Sequence, residues 1–533
     1  MLDLVLSGGE VVDGLGGPPV AADVGVAGDR VVAVGDLAGE AAGLRIDVTG
    51  RTVIPGIVDL HSHSDLTLLS DGRARSKVRQ GVTTELVGNC GLGPFPLTDR
   101  TAQVVREGVA FIDMDPAVAW DWRDLTGFAA ALAAARPALN VAVLVGHVPL
   151  RILAAPDNTS TLTQGELDRL LAALDVALEQ GAVGFSTGLM YPPAMSADRA
   201  ELVAIGRVVA RHDRLFAIHA RNYSDHLVPA VEEALSVAEE TGCRLQFSHL
   251  AVAGRRNWGA VARALELVDR ARSRGVDVGV DIYPYLAGSA NLSQLLPGWA
   301  QEGGVDGIVD RLTDPATRRR ILAELPEVMV HGWDEIEVSD TTPTVPDVLG
   351  ETVEAIGHAW GVHPAEAALD LILQTRNNVS MVAYGRSEQD LDAVLAHPAA
   401  SIGSDGLALD PDGPTGAGRP HPRSYGTYPR LLGPFVRDGR LTFERAVQMS
   451  TSLPAARIGL ADRGRVAVGA AADLAVVDRA GLVDTATYTA PAAFPRGVGH
   501  VVVAGQVVVR DGEQDDGVRP GRVLVASATA DAL

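Results

Sequence analysis

Along the first 50 residues apolar and polar positions alternate, as in LDLVLSGGEVVDG and DVGVAGDRVVAVGDL, with Gly-rich and Asp-rich turns between the runs. A period of two punctuated in this way predicts β-hairpins. The same texture returns near the C-terminus in RVAVGAAADLAVVDRAG and VGHVVVAGQVVVRDGE. Two β-rich ends around a different centre predict a small β-sandwich domain assembled from residues 1–55 and 456–533.

The centre changes period. Eight short apolar runs (GIVDLHSHSD, GVTTELVGNCG, ALNVAVLVGHV, GAVGFSTGL, RLFAIHAR, CRLQFSHLAV, VDVGVDIYPY, AASIGSDG) alternate with stretches of helical period such as TQGELDRLLAALDVALEQ and WGAVARALELVDRARSRG. Eight strands with intervening helices predict an α/β fold, a parallel (β/α)8 TIM-like barrel over residues 56–455. The gap between the seventh and eighth runs is long. Residues 290–395 are therefore expected to hold an insertion before the last barrel strand, with a lid over the barrel mouth as its natural use.

Composition narrows the function classes. With 47% hydrophobic and 21% charged residues, the 533-residue chain is globular in type and long enough for a barrel with a companion domain. A formal charge of −22 argues against nucleic acid or an anionic membrane as partner. The opening MLDLVLSGGEVVDG lacks a basic segment followed by an apolar one, and no window approaches about 20 apolar residues. The expectation is a cytoplasmic protein whose Cys90 and Cys243 stay unpaired. Lys77, on the helix between the first and second strands, is the only lysine.

The chemistry collects at the carboxyl ends of the strands, where barrel enzymes place their sites. His61 and His63 in DLHSHSD are two apart, so on a strand both point to one side. His219 closes FAIHARN, His249 closes QFSHLAV and Asp405 closes SIGSDG. Each alone reads as a structural or merely polar residue, but five at the ends of four strands point to a divalent metal. Imidazole suits zinc, and several neutral imidazoles with one carboxylate leave the cation charge only partly offset. A coordinated water then falls to a pKa of about 7. Asp405 beside that water is placed to take its proton and return it to a leaving amine, which implies hydrolysis of an amide-like bond.

These residues sit in VIPGIVDLHSHSD, GVTTELVGNCG, GAVGFSTGLMYPP, IHARN, FSHLAVAGRRNWG, DIYPY, SIGSDG, HPRSYGTYPRLLG and GRVAVGAAADLAVVD. In order and combination they resemble the amidohydrolase superfamily, and within it the N-acyl-D-amino-acid deacylases, over almost the whole chain. The resemblance implies that His61, His63, Cys90, His219 and His249 are metal ligands and that Asp405, at the metal, is the catalytic acid/base. It implies one tight zinc held by Cys90, His219 and His249, and a weaker second site at His61 and His63 with Cys90. Many members of the superfamily bridge two metals with a carboxylated lysine from a barrel strand. No barrel strand of this chain carries a lysine, and a bridging Cys90 thiolate answers that vacancy. Cys243 begins a strand and reads as a small buried hydrophobe.

Substrate contacts expected from the same resemblance are Tyr283, which is placed to polarise the scissile carbonyl, and Tyr191 as a pocket residue. Arg423 either touches substrate or fastens loops. One departure stands out: where the family commonly reads Ser-His-x-Lys and the lysine helps hold the substrate carboxylate, this chain has Ala251. Arg255 or Arg256 is the nearby candidate to replace it. His147 lines the pocket or, preferably, sits in the core, while His212, His226, His331, His358, His363, His397 and His500 are expected at the surface. Three rival readings remain. GFSTG fits the Gly-x-Ser-x-Gly elbow of serine hydrolases, although it runs on into a proline-containing loop. A cyclic-amide hydrolase of the same superfamily is a second, and a non-catalytic barrel that serves binding or assembly is a third.

Overall fold

All eight central runs form parallel strands: β1 Ile57–Asp59, β2 Val82–Val87, β3 Asn140–Gly146, β4 Gly184–Gly188, β5 Leu215–His219, β6 Arg244–Phe247, β7 Val278–Ile282 and β8 Ala400–Ile402. The computed structural model describes residues 1–156, 160–342 and 345–526. The strands lie in sequential order from β1 to β8, and a parallel bridge between Ser62 and Gly406 draws the two edges together. The fold class is therefore the α/β barrel that the periodicity implied.

Each strand is buried on both faces, which explains why it reads as an apolar run rather than an alternation. Ile57, Val143, Phe216 and Val280 pack outward against helix residues such as Leu174, Val208 and Val231. The other parity, Val58, Leu86, Leu144 and Ala217, meets in a second cluster with Ala455 and Ile458. The helices start where their sequence says they should. Gln164–Glu179, for example, opens on a capping box in which Thr163 and Glu166 satisfy each other's backbone N–H.

Strands from both chain ends share one core outside the barrel. The sheet of Arg30–Gly35, Asp23–Ala27, Leu2–Ser7 and Ala42–Asp47 faces a seven-stranded sheet that includes Thr52–Pro55, Leu474–Val477 and Val498–Val503. Leu4, Val24, Ile46, Leu474 and Val502 fill the space between them. The chain then returns to the barrel, where Val523–Leu524 pairs with the start of β3. Between β7 and β8, strands Ala287–Asn291, Ile336–Thr341 and Val379–Tyr384 make an antiparallel sheet. Its own core holds Ile308, Ile321, Leu369 and Met381. No described helix is long and apolar enough to cross a membrane.

Two histidines depart from the sequence reading, whereas Lys77 lies on the helix between the first and second strands as expected. His397 and His500, expected at the surface, are buried; the first bonds Asp269 at 3.0 Å, and the second lies within the strand Val498–Val503. Lys77 lies on the short helix Arg75–Val78, and its side chain is 0% exposed. Its Nζ sits 2.8 Å from Asp59 and 2.9 Å from Glu85 and donates to Ser404 Oγ at 2.7 Å, tying β1, β2 and the end of β8 together. Removing one partner of such a buried cluster strands an uncompensated charge at a cost of about 3–5 kcal/mol. Lys77→Met is therefore expected to lower unfolding stability by about that amount, read as a reduced urea midpoint. An unchanged midpoint would show that the cluster contributes nothing net.

Candidate metal centre

The closure of the barrel builds the site. Asp405 N–H donates to the His61 carbonyl at 2.7 Å, and His63 N–H donates to the Gly406 carbonyl at 2.9 Å, so the segments after β1 and β8 run paired. That pairing sets His63 Nε2 3.0 Å and His61 Nε2 3.4 Å from Asp405 Oδ1. On the opposite side His219 Nδ1 stands 3.1 Å from His249 Nε2. Cys90 Sγ lies between the two halves, 3.3 Å from His61 Nε2 and 3.5 Å from His249 Nε2.

Two buried sets of donor atoms result: His61, His63, Cys90 and Asp405 within 4.8 Å of one another, and Cys90, His219 and His249 within the same distance. Cys90 belongs to both. Atoms sharing one tetrahedral zinc at bond lengths of about 2.0–2.3 Å stand roughly 3.3–3.6 Å apart, close to the sulfur–nitrogen separations seen. His219 Nε2 is buried with no hydrogen-bond partner. Three of these residues also hold backbone conformations that L-residues rarely adopt: Cys90 at φ +56°, His249 at +34° and Asp405 at +52°. Such outliers cluster at functional sites, where the surroundings over-determine them.

The Cys90 turn is tight. A Cβ on Gly88 would lie 2.4 Å from the Leu144 carbonyl oxygen, and one on Gly91 would lie 2.6 Å from Gly188 N; both glycines have positive φ. The loop is also pinned by Ser186, which accepts from Gly91 N–H at 2.9 Å and donates to the Gly88 carbonyl. Ser186 is the serine of GFSTG. Fully buried with its hydroxyl occupied, it positions the cysteine loop and is no nucleophile.

Electrostatics favour anions at the centre. Burial pushes the Cys90 thiol up, but the charge of His61 and hydrogen bonds from His219, His249 and His61 outweigh it, holding the thiol well below its ordinary range. Burial likewise pushes Asp405 up, and Arg423, His61 and His63 hold it well below the usual carboxylate range. Arg423 Nη1 donates to Asp405 Oδ2 at 2.7 Å.

These groups open into a cavity of about 470 Å³ whose lining includes Tyr191, Tyr283, Asp405 and Arg423 together with residues of the insertion. Tyr191 packs against the His219 ring, with centroids 4.9 Å apart. Arg255 is not brought in. It is 72% exposed and paired with Glu335 at 3.0 Å, while Arg256 pairs with Asp225, so both face solvent rather than substrate. Ala251 is buried, and no cation replaces its missing side chain from that loop. His331, expected at the surface, lines the cavity. His147 sits in the core, bonded to Thr187 and Glu201 at 2.8 Å each.

Residues 45–509 match the Amidohydrolase family. The chain is 38% identical to the N-acyl-D-glutamate deacylase of Alcaligenes xylosoxydans xylosoxydans over 534 residues, covering 99% of this chain and 97% of that one. It is 35% identical to the D-aminoacylase of the same organism over 531 residues, covering 99% and 98%. The chain belongs to the amidohydrolase family. A crystal structure of N-acyl-D-glutamate deacylase from Bordetella bronchiseptica, complexed with zinc and a phosphonate mimic of the tetrahedral intermediate, superposes with a TM-score of 0.83. Identity there is 36%, with 98% of this chain and 100% of that one covered.

In this amidohydrolase several supporting residues escaped the sequence reading. Asp281 accepts from His61 Nδ1 at 3.1 Å and from the His249 backbone N–H at 2.8 Å. It thereby orients the His61 ring and turns Nε2 toward Cys90. Tyr223 packs against both His219 and His249 and hydrogen-bonds the Ser248 carbonyl. His421 is buried between Tyr283 and Tyr285, its Nε2 at 3.1 Å from the Ala287 carbonyl. All three lie inside or beside runs already picked out (DIYPY, IHARN, HPRSYG), so the signal was position in a motif rather than residue type.

Proposed function

We propose that this chain hydrolyses the amide bond of N-acyl-D-amino acids with zinc, held tightly by Cys90, His219 and His249 and more weakly at a second site by His61 and His63 with Cys90. The observation that carries the reading is the shared Cys90 sulfur between two buried donor sets at the mouth of a barrel whose relatives are deacylases of this class. Zinc in the Bordetella complex supports the choice of metal. Bound zinc supplies Lewis acidity here, polarising the scissile carbonyl and bringing the pKa of water to about 7.

The chain's own groups do the rest. Asp405, kept ionised by Arg423, accepts the proton of the attacking water as that oxygen bonds to carbon. Once protonated it is a strong acid, well suited to hand the proton to the leaving nitrogen. Tyr283 donates from its hydroxyl to the carbonyl oxygen as negative charge grows there. Tyr191 and the apolar lining, including Leu189 and Met195, exclude water from the bound acyl amino acid. A cyclic-amide hydrolase finds no support in the site, because the only lysine is committed to Asp59 and Glu85.

The test is a panel of N-acyl-D- and N-acyl-L-amino acids offered to zinc-loaded protein and scored for free amine. Turnover of the D series, lost on chelation and restored by zinc, is expected. Preference for the L series, or hydrolysis of ring amides alone, would overturn the reading.

A further inference from the structure

Between the strands Leu474–Val477 and Val498–Val503, which belong to the domain built from the chain ends, the chain reaches across to the barrel. Val483 and Arg496 exchange backbone hydrogen bonds at 3.0 and 3.1 Å, so the residues between them form a closed loop. Arg437 Nη1 anchors the base of that loop by donating to the Leu482 carbonyl at 2.8 Å. Asp484, whose side chain is 9% exposed, accepts from the Tyr285 hydroxyl at 3.1 Å and pairs with Arg430 Nη1 at 3.4 Å. Arg430 ends the helix Arg423–Arg430, and its Nε donates to the Pro284 carbonyl at 2.7 Å. Its guanidinium also lies over the Tyr285 ring, 4.8 Å from the centroid. Gly426 permits the approach, since a Cβ there would lie 2.6 Å from the Tyr285 hydroxyl and 3.0 Å from Asp484 Cβ.

Pro284 and Tyr285 are the two residues after Tyr283, and the Tyr285 N–H returns to the Tyr283 carbonyl at 2.9 Å. Pro284 has no backbone N–H, so its carbonyl is its single backbone handle. The turn that presents Tyr283 to the cavity is therefore held from behind by a side chain from the other domain. We infer that Asp484 is a positioning residue: through Tyr285 and Arg430 it fixes this turn and with it the Tyr283 hydroxyl, so the domain of the chain ends contributes to turnover in the barrel. This rests on the proposed role of Tyr283 in deacylation. A donor to a developing oxyanion acts only within about 2.7–3.1 Å of it, and a displacement of about 1 Å costs on the order of 100-fold. Without the Asp484 carboxylate, Arg430 is free to turn to solvent, which already reaches 36% of its side chain, and the Pro284 carbonyl loses its donor. Tyr488 of the same loop packs edge-on against His421 and Tyr384, with centroids 5.2 and 5.0 Å apart, and keeps the loop seated when Asp484 is replaced.

The test is a double-mutant cycle on zinc-loaded protein with N-acetyl-D-methionine: wild type, Asp484→Ala, Tyr283→Phe and the two combined. Asp484→Ala is expected to lose about 30-fold in kcat while KM changes by less than about threefold. In the Tyr283→Phe background the same substitution should cost less than about twofold, because the hydroxyl it positions is gone. Equal losses in both backgrounds, or full kcat in Asp484→Ala, overturn the inference. Asp484→Asn keeps the volume and the acceptor for Tyr285 but drops the charge facing Arg430. It should fall between wild type and Asp484→Ala, and it carries the cycle if the alanine variant does not fold. Hydrogen–deuterium exchange of a peptide spanning 283–291 reads the turn without turnover: its amides should exchange at least about tenfold faster in Asp484→Ala, with the barrel strands unchanged. Unchanged exchange there refutes the contact as a clasp. If wild type cleaves no acyl amino acid, the deacylase reading falls separately. In that case, or if Tyr283→Phe leaves too little turnover to measure, the exchange result alone decides whether Asp484 holds the turn.

Discussion

Zinc-loaded Asp405→Asn is expected to lose about 10³-fold or more in kcat while retaining its tightly held metal. The carboxamide keeps the size and most of the hydrogen-bond geometry of Asp405, including a contact to Arg423 through its oxygen. It cannot accept a proton from water, nor deliver one to the leaving amine, so both halves of the proton transfer are lost together. Cys90, His219 and His249 do not depend on that carboxylate, which lies with His61 and His63 in the other donor set. Measuring kcat alongside zinc content separates the two roles. Loss of zinc in step with activity would make Asp405 chiefly a ligand, and retained activity would remove it from catalysis.

Cys90→Ala is expected to abolish both. Its sulfur is the one donor common to the two sets, so a single substitution depletes each of them. Losing a residue that only orients a ligand typically costs 10–100-fold in metal affinity or activity. Removing the ligand itself is therefore expected to weaken zinc binding by more than roughly 100-fold. It also deletes the negative charge that His61, His219 and His249 surround. Elemental analysis after gel filtration, with turnover measured on the same sample, reads the outcome. Full zinc and full activity in Cys90→Ala would contradict the bridging role. Cys90→Asp is a useful companion, because a carboxylate of similar length restores a charged oxygen ligand where the backbone already turns.

The fates of particular residues explain what was legible in advance. His61, His63, His219, His249 and Asp405 could be picked out because a barrel gives every strand the same orientation, so a polar residue at a strand's carboxyl end declares its place. Asp281 could not. It looks like one more polar residue in DIYPY, and its task depends on His61, 220 positions away. Arg255 failed for the complementary reason. Sequence placed a cation on the right loop, but Glu335 from the insertion draws it to solvent. His331 failed because, although a lid over the mouth was expected from the insertion, which of its residues faces the cavity depends on tertiary packing that no local period encodes.

Short apolar runs sufficed for the eight strands and their order, alternation of apolar and polar residues for the β-rich ends, and the long gap before the last run for the insertion, because hydrophobic period is a local property of the chain. The glycines around Cys90 were likewise readable as a sharp turn. Which side chains share a charge was decided only in three dimensions. The commitment of Lys77 to Asp59 and Glu85, of Arg423 to Asp405 and of Arg221 to Glu233 follows from barrel closure and from the packing around it. Coulomb interaction and desolvation depend on distances of a few ångströms between groups that lie up to hundreds of residues apart in sequence, and those distances do not exist until the chain has folded.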